Sequence, residues 1–213
     1  MIMQVTLYYS LENLQDTMIG YIKDPSTIKS KRDLGKVIYF YDENDQIVSF
    51  NILNVSKDEK LFLSIKNNGL VFLNEELKKH LLSEYLTGFE SLESPFVIGQ
   101  VIKVNPILNT HLNHCLVDIA KEQPLSIVCG GSNVSEGIKV VVVKVDGFIN
   151  TGKHIKCSEL FNLESSGMIC SENELGLTDL VNDDRKILVL DDDLVVGKEF
   201  QTDNIQQANA LKY

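Results

Sequence analysis

The sequence predicts two parts: a small α+β domain over residues 1–87, then an all-β, five-stranded barrel over residues 96–200. A linker at 88–95 joins them and a polar tail follows at 201–213. Three observations carry this reading. Runs rich in β-branched and aromatic residues recur along the whole chain. A single amphipathic helical pattern stands at residues 73–86, and the composition breaks between Gly88 and Pro95.

In the first part, Val5–Tyr9 (VTLYY), Met18–Ile22 (MIGYI), Val37–Tyr41 (VIYFY) and Ile47–Leu53 (IVSFNIL) read as strands. Asp42–Asp45 (DEND) reads as a tight connection, because short polar side chains bond their own backbone in turns. The helix follows as LNEELKKHLLSEYL, with Leu77, Leu81, Leu82 and Tyr85 at helical spacing. Asn74 is its expected N-cap, Glu75 and Glu76 suit the positive end of the dipole, and Gly88 lies just past its end.

In the second part the expected strands are Phe96–Val104, Cys115–Ile119, Leu125–Gly130, Ile138–Val145 and Lys186–Asp191. Short strands with glycine punctuation suit a small Greek-key barrel. Gly99 and Gly130-Gly131 fall where such a barrel needs sharp bends or close backbone approach. The KVVVVKV run is apolar on both faces, which marks a barrel-closing strand.

Composition bounds the function. With 213 residues and 44% hydrophobic content the chain can bury a core without staples. No apolar run approaches the roughly 18–20 residues that span a bilayer, and the N-terminus lacks the pattern of a secretory signal, so the expected location is cytoplasmic, away from membranes. Cys115, Cys129, Cys157 and Cys170 form no C-x-x-C pair and read as reduced, buried, small apolar residues. The charge balance is acidic in both parts. Residues 97–200 carry 9 Lys and Arg against 15 Asp and Glu, a net of −6; residues 1–96 carry 10 against 14, a net of −4. Non-specific phosphate binding needs a local basic footprint. Lys139, Lys144, Lys153 and Lys156, with only Asp146 among them, are the set that can supply it.

The most informative stretch runs from Ile127 to Leu177. It holds IVCGGSNV, the valine strand and SSGMICSENELGL. These pieces, in this order, resemble the tRNA-binding OB-fold domain found at the N-terminal end of the phenylalanyl-tRNA synthetase β subunit, in EMAP-II-like proteins and in small free-standing bacterial proteins of the YtpR type. The S-x-G-M-x-x-S-x-x-E-L-G pattern is its sharpest part, here Ser165, Gly167, Met168, Ser171, Glu174, Leu175 and Gly176. The resemblance spans about 97–200. The preceding domain resembles, by order and size, the extra domain of the YtpR type. The family pattern is altered at Asn105–Asn113 and at Phe161-Asn162, where relatives carry polar or cationic residues.

The resemblance implies a non-catalytic module that grips tRNA or another structured RNA. Met168 is then a soft contact for a base or ribose, or else a core filler. Ser165, Ser166 and Ser171 donate to phosphate or 2′-OH groups, or else cap local turns. Asn133 reads a base edge or braces its loop. The alternative function is a protein-interaction adaptor that keeps the fold, has lost RNA affinity and docks a partner such as an aminoacyl-tRNA synthetase or a ribosome factor. A homodimer through Leu175, Leu177, Leu180 and Val181 is a further expectation. His111, His114 and Cys115 are too few and too local for a zinc site, and Cys129 has no basic neighbour to activate it. No P-loop, dinucleotide fingerprint or Ser/His/Asp order is present, so no catalytic residue, metal or cofactor is expected.

Overall fold

The protein, seen in a computed structural model, is described over residues 2–65, 68–178, 185–203 and 205. Leu180 and Val181 of the expected dimer surface, and the tail from residue 206 onward, lie outside the described residues. The chain divides into two compact units, Met1–Ser94 and Pro95–Tyr213.

The first unit contains β1 (Ile2–Gln4), β2 (Thr6–Ser10), β3 (Thr17–Tyr21), β4 (Ser30–Asp33), β5 (Val37–Tyr41), β6 (Ile47–Leu53), α1 (Glu59–Leu63), β7 (Gly69–Val71), α2 (Glu75–Glu84) and β8 (Ser91–Glu93). An antiparallel sheet runs in the order β4-β5-β6-β3-β2-β7, and β1 pairs in parallel with β8. Strands dominate the unit and its two helices are short, so the expected α+β class is not confirmed. The stretch taken from composition as a linker, 88–95, contains β8, whose pairing with the chain's first strand ties it into this unit.

The core explains the packing. Met18, Phe50, Ile52, Leu77 and Leu81 are fully buried in one cluster. Gly20 of β3 lies opposite Phe50 of β6, and a Cβ there would fall 2.2 Å from the Phe50 ring. The aromatic ring fills the space a side chain would take, so the glycine is a packing requirement. Helix α2 begins as its sequence indicates: the Asn74 carboxamide oxygen accepts the Leu77 amide hydrogen at 2.8 Å. Asp58 ties both helices together. It caps α1 by accepting from the Leu61 amide at 3.0 Å, and its other oxygen meets the Tyr85 hydroxyl and the His80 ring, each at 2.7 Å.

The second unit contains β9 (Phe96–Pro106), β10 (Asn113–Asp118), β11 (Leu125–Cys129), β12 (Lys139–Val143), β13 (Ser158–Leu160), β14 (Leu163–Ser165), β15 (Met168–Ile169) and β16 (Val189–Leu190). Its main sheet runs β11-β10-β9-β12-β15, with β16 also on β12, and curls into a nearly closed five-stranded barrel. Val101, Cys115, Val117, Ile127, Val140 and Val142 fill the interior. Gly99 leaves room for the barrel interior, since a Cβ there would meet Val117 at 2.7 Å and Val142 at 2.9 Å. The valine strand β12 is central, not the closing element. Closure falls between β11 and the chain around β14, where the Ser166 amide donates to the Ser126 carbonyl at 2.8 Å and the Val128 amide donates to Ser165 Oγ at 3.1 Å. Among the described residues no helix is long and apolar enough to cross a membrane.

Asp58 yields a test of how the first unit is held. Burial raises its pKa, but the Leu61 amide, the Tyr85 hydroxyl and His80 outweigh burial and leave it at about 2. A depressed carboxylate stabilises the fold above its ordinary range and loses that contribution as pH falls through its folded value. Asp58→Ala is therefore expected to cost about 1 kcal/mol or more at neutral pH from the lost cap alone. The gap from the parent chain, followed by thermal denaturation, should close as pH drops toward 2.

Candidate nucleic-acid interface

The S-x-G-M segment is built by close approaches. Gly167 sits at φ +136°, and a Cβ there would stand 3.0 Å from the Val143 carbonyl oxygen, so the chain presses directly onto β12. This delivers Met168, opposite Val143 and half-buried, to the barrel surface beside Cys129 and Gly130. Ser165 is buried and spends its hydroxyl on the Val128 amide. The Ser166 hydroxyl contacts Glu164 and lies 3.4 Å from Cys157 Sγ. Ser171 forms a reciprocal turn cap with Glu174: its amide and hydroxyl donate to Glu174 Oε2 at 2.7 and 2.9 Å, and the Glu174 amide returns to Ser171 Oγ at 3.3 Å.

Across from Met168 runs residues 185–187. Asn133 anchors it with both ends of its side chain. Its Nδ2 donates to the Ile187 carbonyl at 3.0 Å, and its Oδ1 accepts from the Ile187 amide at 2.9 Å. The Ser132 amide donates to the Arg185 carbonyl at 3.0 Å. Gly131 permits the contact, because a Cβ there would meet Ile187 Cγ2 at 2.7 Å. Two adjoining depressions, of about 290 and 300 Å³, share Ser171, Arg185, Lys186 and Ile187. Met168 and Gly130 line the first, Asn133 and Asn173 the second. Arg185 and Lys186 are exposed on the rim.

The four lysines are placed differently. The Lys139 ammonium donates to the carbonyls of Asp192 and Leu194, holding the chain after β16. Lys144 lies beyond the other end of β12, roughly 16 Å away along an extended strand. Lys144, Lys153 and Lys156 belong to one ordered loop. In it the Asp146 amide donates to Ile155, the Ile155 amide to Gly147, and the His154 ring stacks on Phe148 at 4.5 Å. The structure thus groups three of the lysines and separates Lys139 from them.

Cys115, Cys129 and Cys170 are buried, but Cys157 is exposed on the approach to β13, where polar neighbours replace the apolar setting expected for it. Its hydrogen-bond contact with Cys129 and its burial push the Cys115 thiol well above the ordinary range, and burial does the same for Cys170. The His114 ring lies 2.9 Å from Ser126 Oγ. Because the Ser126 hydroxyl donates to the Glu164 carbonyl, His114 Nε2 carries the proton in this pair. Among the described residues no set of three His, Cys, Asp or Glu is placed to hold a metal ion. Of the apolar residues expected on a dimer surface, Leu175 is buried within the unit and Leu177 is half-buried.

Residues 96–199 match the family described as "Putative tRNA binding domain", and residues 23–89 match a domain of unknown function. An uncharacterized protein of Mycoplasma genitalium, MG449, is 35% identical over 92% of this chain and 87% of its own length. The "Putative tRNA-binding protein YtpR" of Bacillus subtilis is 36% identical over 92% of this chain and 94% of its own. The phenylalanine–tRNA ligase β subunit of Buchnera aphidicola is 33% identical over 65% of this chain, which spans 17% of that subunit.

The anchoring of residues 185–187 is testable. Asn133→Ala removes two hydrogen bonds to backbone and is expected to lower stability by about 1–3 kcal/mol. The amide resonances of Arg185, Lys186 and Ile187 should shift with it, while those of β9 and β10 stay in place.

Proposed function

We propose, from the premise that the chain belongs to the YtpR family of tRNA-binding-domain proteins, that its barrel is an OB fold that binds tRNA without doing chemistry. The observation that carries the reading is the coincidence of the family match with the surface where Met168 faces Arg185 and Lys186. In this reading Arg185 and Lys186 take backbone phosphates, the guanidinium by paired hydrogen bonds and the ammonium as a point charge. Met168 and the backbone at Gly130 receive an unstacked base or ribose. Lys144, Lys153 and Lys156 extend the positive footprint along the next loop. Asn133, Ser165 and Ser171 shape the surface through their internal bonds, and Lys139 serves the fold by holding the chain after β16.

The net charge of −6 over residues 97–200 limits affinity, because only a local patch offsets the surrounding carboxylates. We assign tRNA itself, rather than a synthetase, as the direct ligand. Filter binding of total tRNA at low salt tests this. Arg185→Glu with Lys186→Glu should weaken binding and flatten the dependence of log K on log salt by roughly 0.7–0.9 per lost contact. Lys139→Gln should lower the melting temperature and leave affinity near that of the parent. Equal affinity in the double variant and the parent would place the ligand elsewhere, as would an unaltered salt slope.

A further inference from the structure

The first unit holds a cleft of about 740 Å³ that the barrel's reading does not use. Its walls come from the turn at Gly35-Lys36 ahead of β5, the end of β6 at Leu53-Asn54, the segment Lys57–Lys60 that opens α1, Leu63, and Tyr85 after α2. Every one of these residues falls within 23–89, the segment matched to a domain of unknown function.

The charges around the cleft are unequally engaged. Asp58, one of its lining residues, meets the Leu61 amide, the Tyr85 hydroxyl and the His80 ring. Asp16, the carboxylate that interacts with Lys57, accepts from the Ser56 amide and hydroxyl at 2.9 and 2.7 Å and from the Tyr9 hydroxyl at 2.8 Å. Protein donors thus already hold both carboxylates. Lys36, Lys57 and Lys60 are exposed around the opening, with Glu59 the acidic residue at the rim. The Lys36 ammonium stands 6.0 Å over the Tyr85 ring. Leu63 is 73% exposed beside these cations, an apolar surface left in water at the mouth of a charged hollow. Cations gathered around an opening with an apolar wall match a ligand that has a phosphate at one end and a flat apolar group at the other. The volume lies within the roughly 300–1,000 Å³ usual for small-ligand sites.

We propose that this cleft is a nucleotide-binding site separate from the barrel interface. Lys36, Lys57 and Lys60 take the phosphate, and Leu53 and Leu63 form the wall for the base. Two sources carry this chemistry, a free nucleotide and a nucleotide within an RNA strand, and the experiment separates them. The full-length chain, isotopically labelled, is titrated with adenosine 5′-monophosphate and, separately, with a short single-stranded oligouridine, and the amide shifts are followed. Shifts at Lys36, Asn54, Lys57, Lys60 and Leu63 are expected, and they should persist in a chain carrying Arg185→Glu and Lys186→Glu. Movement with the mononucleotide assigns a free ligand; movement with the oligomer alone assigns a strand. Lys36→Gln, Lys57→Gln and Lys60→Gln combined should weaken the response by about tenfold or more. The melting temperature should hold, because all three side chains are exposed. Cleft amides that stay still with both probes would overturn the proposal, whatever the barrel does, as would undiminished affinity in the triple variant.

Discussion

The second unit depends on a strand that must be covered on both faces. Val140, Val141, Val142 and Val143 are all fully buried. Val140 and Val142 point into the barrel core with Val101, Val117 and Ile127. Val143, on the other face, lies against the loop that follows β12, where Gly147 would place a Cβ 2.5 Å from it. Burying a valine contributes on the order of 1.5–3 kcal/mol. Leaving either face wet would forfeit several such terms. The ordered loop carrying Lys144, Lys153 and Lys156 is thus a cover for β12 as well as a carrier of charge. The same constraint sends Lys139 and Lys144 to opposite ends of the strand.

Function is layered onto this frame through places where a side chain would not fit. Gly131 lets residues 185–187 dock, and Gly167 lets the S-x-G-M segment press onto β12. Hydroxyl and amide groups then lock both segments. Ser165 and Ser166 close the barrel against β11, and Asn133 holds Ile187 by two bonds. With those polar groups occupied internally, the proposed RNA contact rests on Met168, Arg185 and Lys186, which line one depression. Glu174 lines the first depression and Glu172 the second, so in a chain with a net charge of −10 these two cations share their surface with carboxylates.

Much of this was legible in the sequence for identifiable reasons. Strands β5 and β6 match the expected 37–41 and 47–53, since their β-branched and aromatic runs end at clear turn signals. Helix α2 was legible from its leucine spacing and Asn74. Strand β4, Ser30–Asp33, was not, because all four of its residues are exposed and only pairing with β5 makes it a strand. The β13–β14 hairpin was missed because its turn uses Phe161 and Asn162 at φ +55° and +59°, where glycine is the usual signal. The roles of Asn133 and Ser165 needed partners more than thirty residues away, which no local pattern reveals. Arg185 and Lys186 were hidden by the surrounding acidic count, although two consecutive cations directly before an apolar strand were the available signal.

The most direct test is photo-crosslinking of tRNA carrying 4-thiouridine to the full-length chain, with the attached peptides identified by mass spectrometry. The account predicts crosslinks at or beside Met168 and Arg185–Leu188, reduced by excess unlabelled tRNA. Specific crosslinks confined to the β9–β10 connection or to the face holding Lys139, with none at those positions, would contradict it.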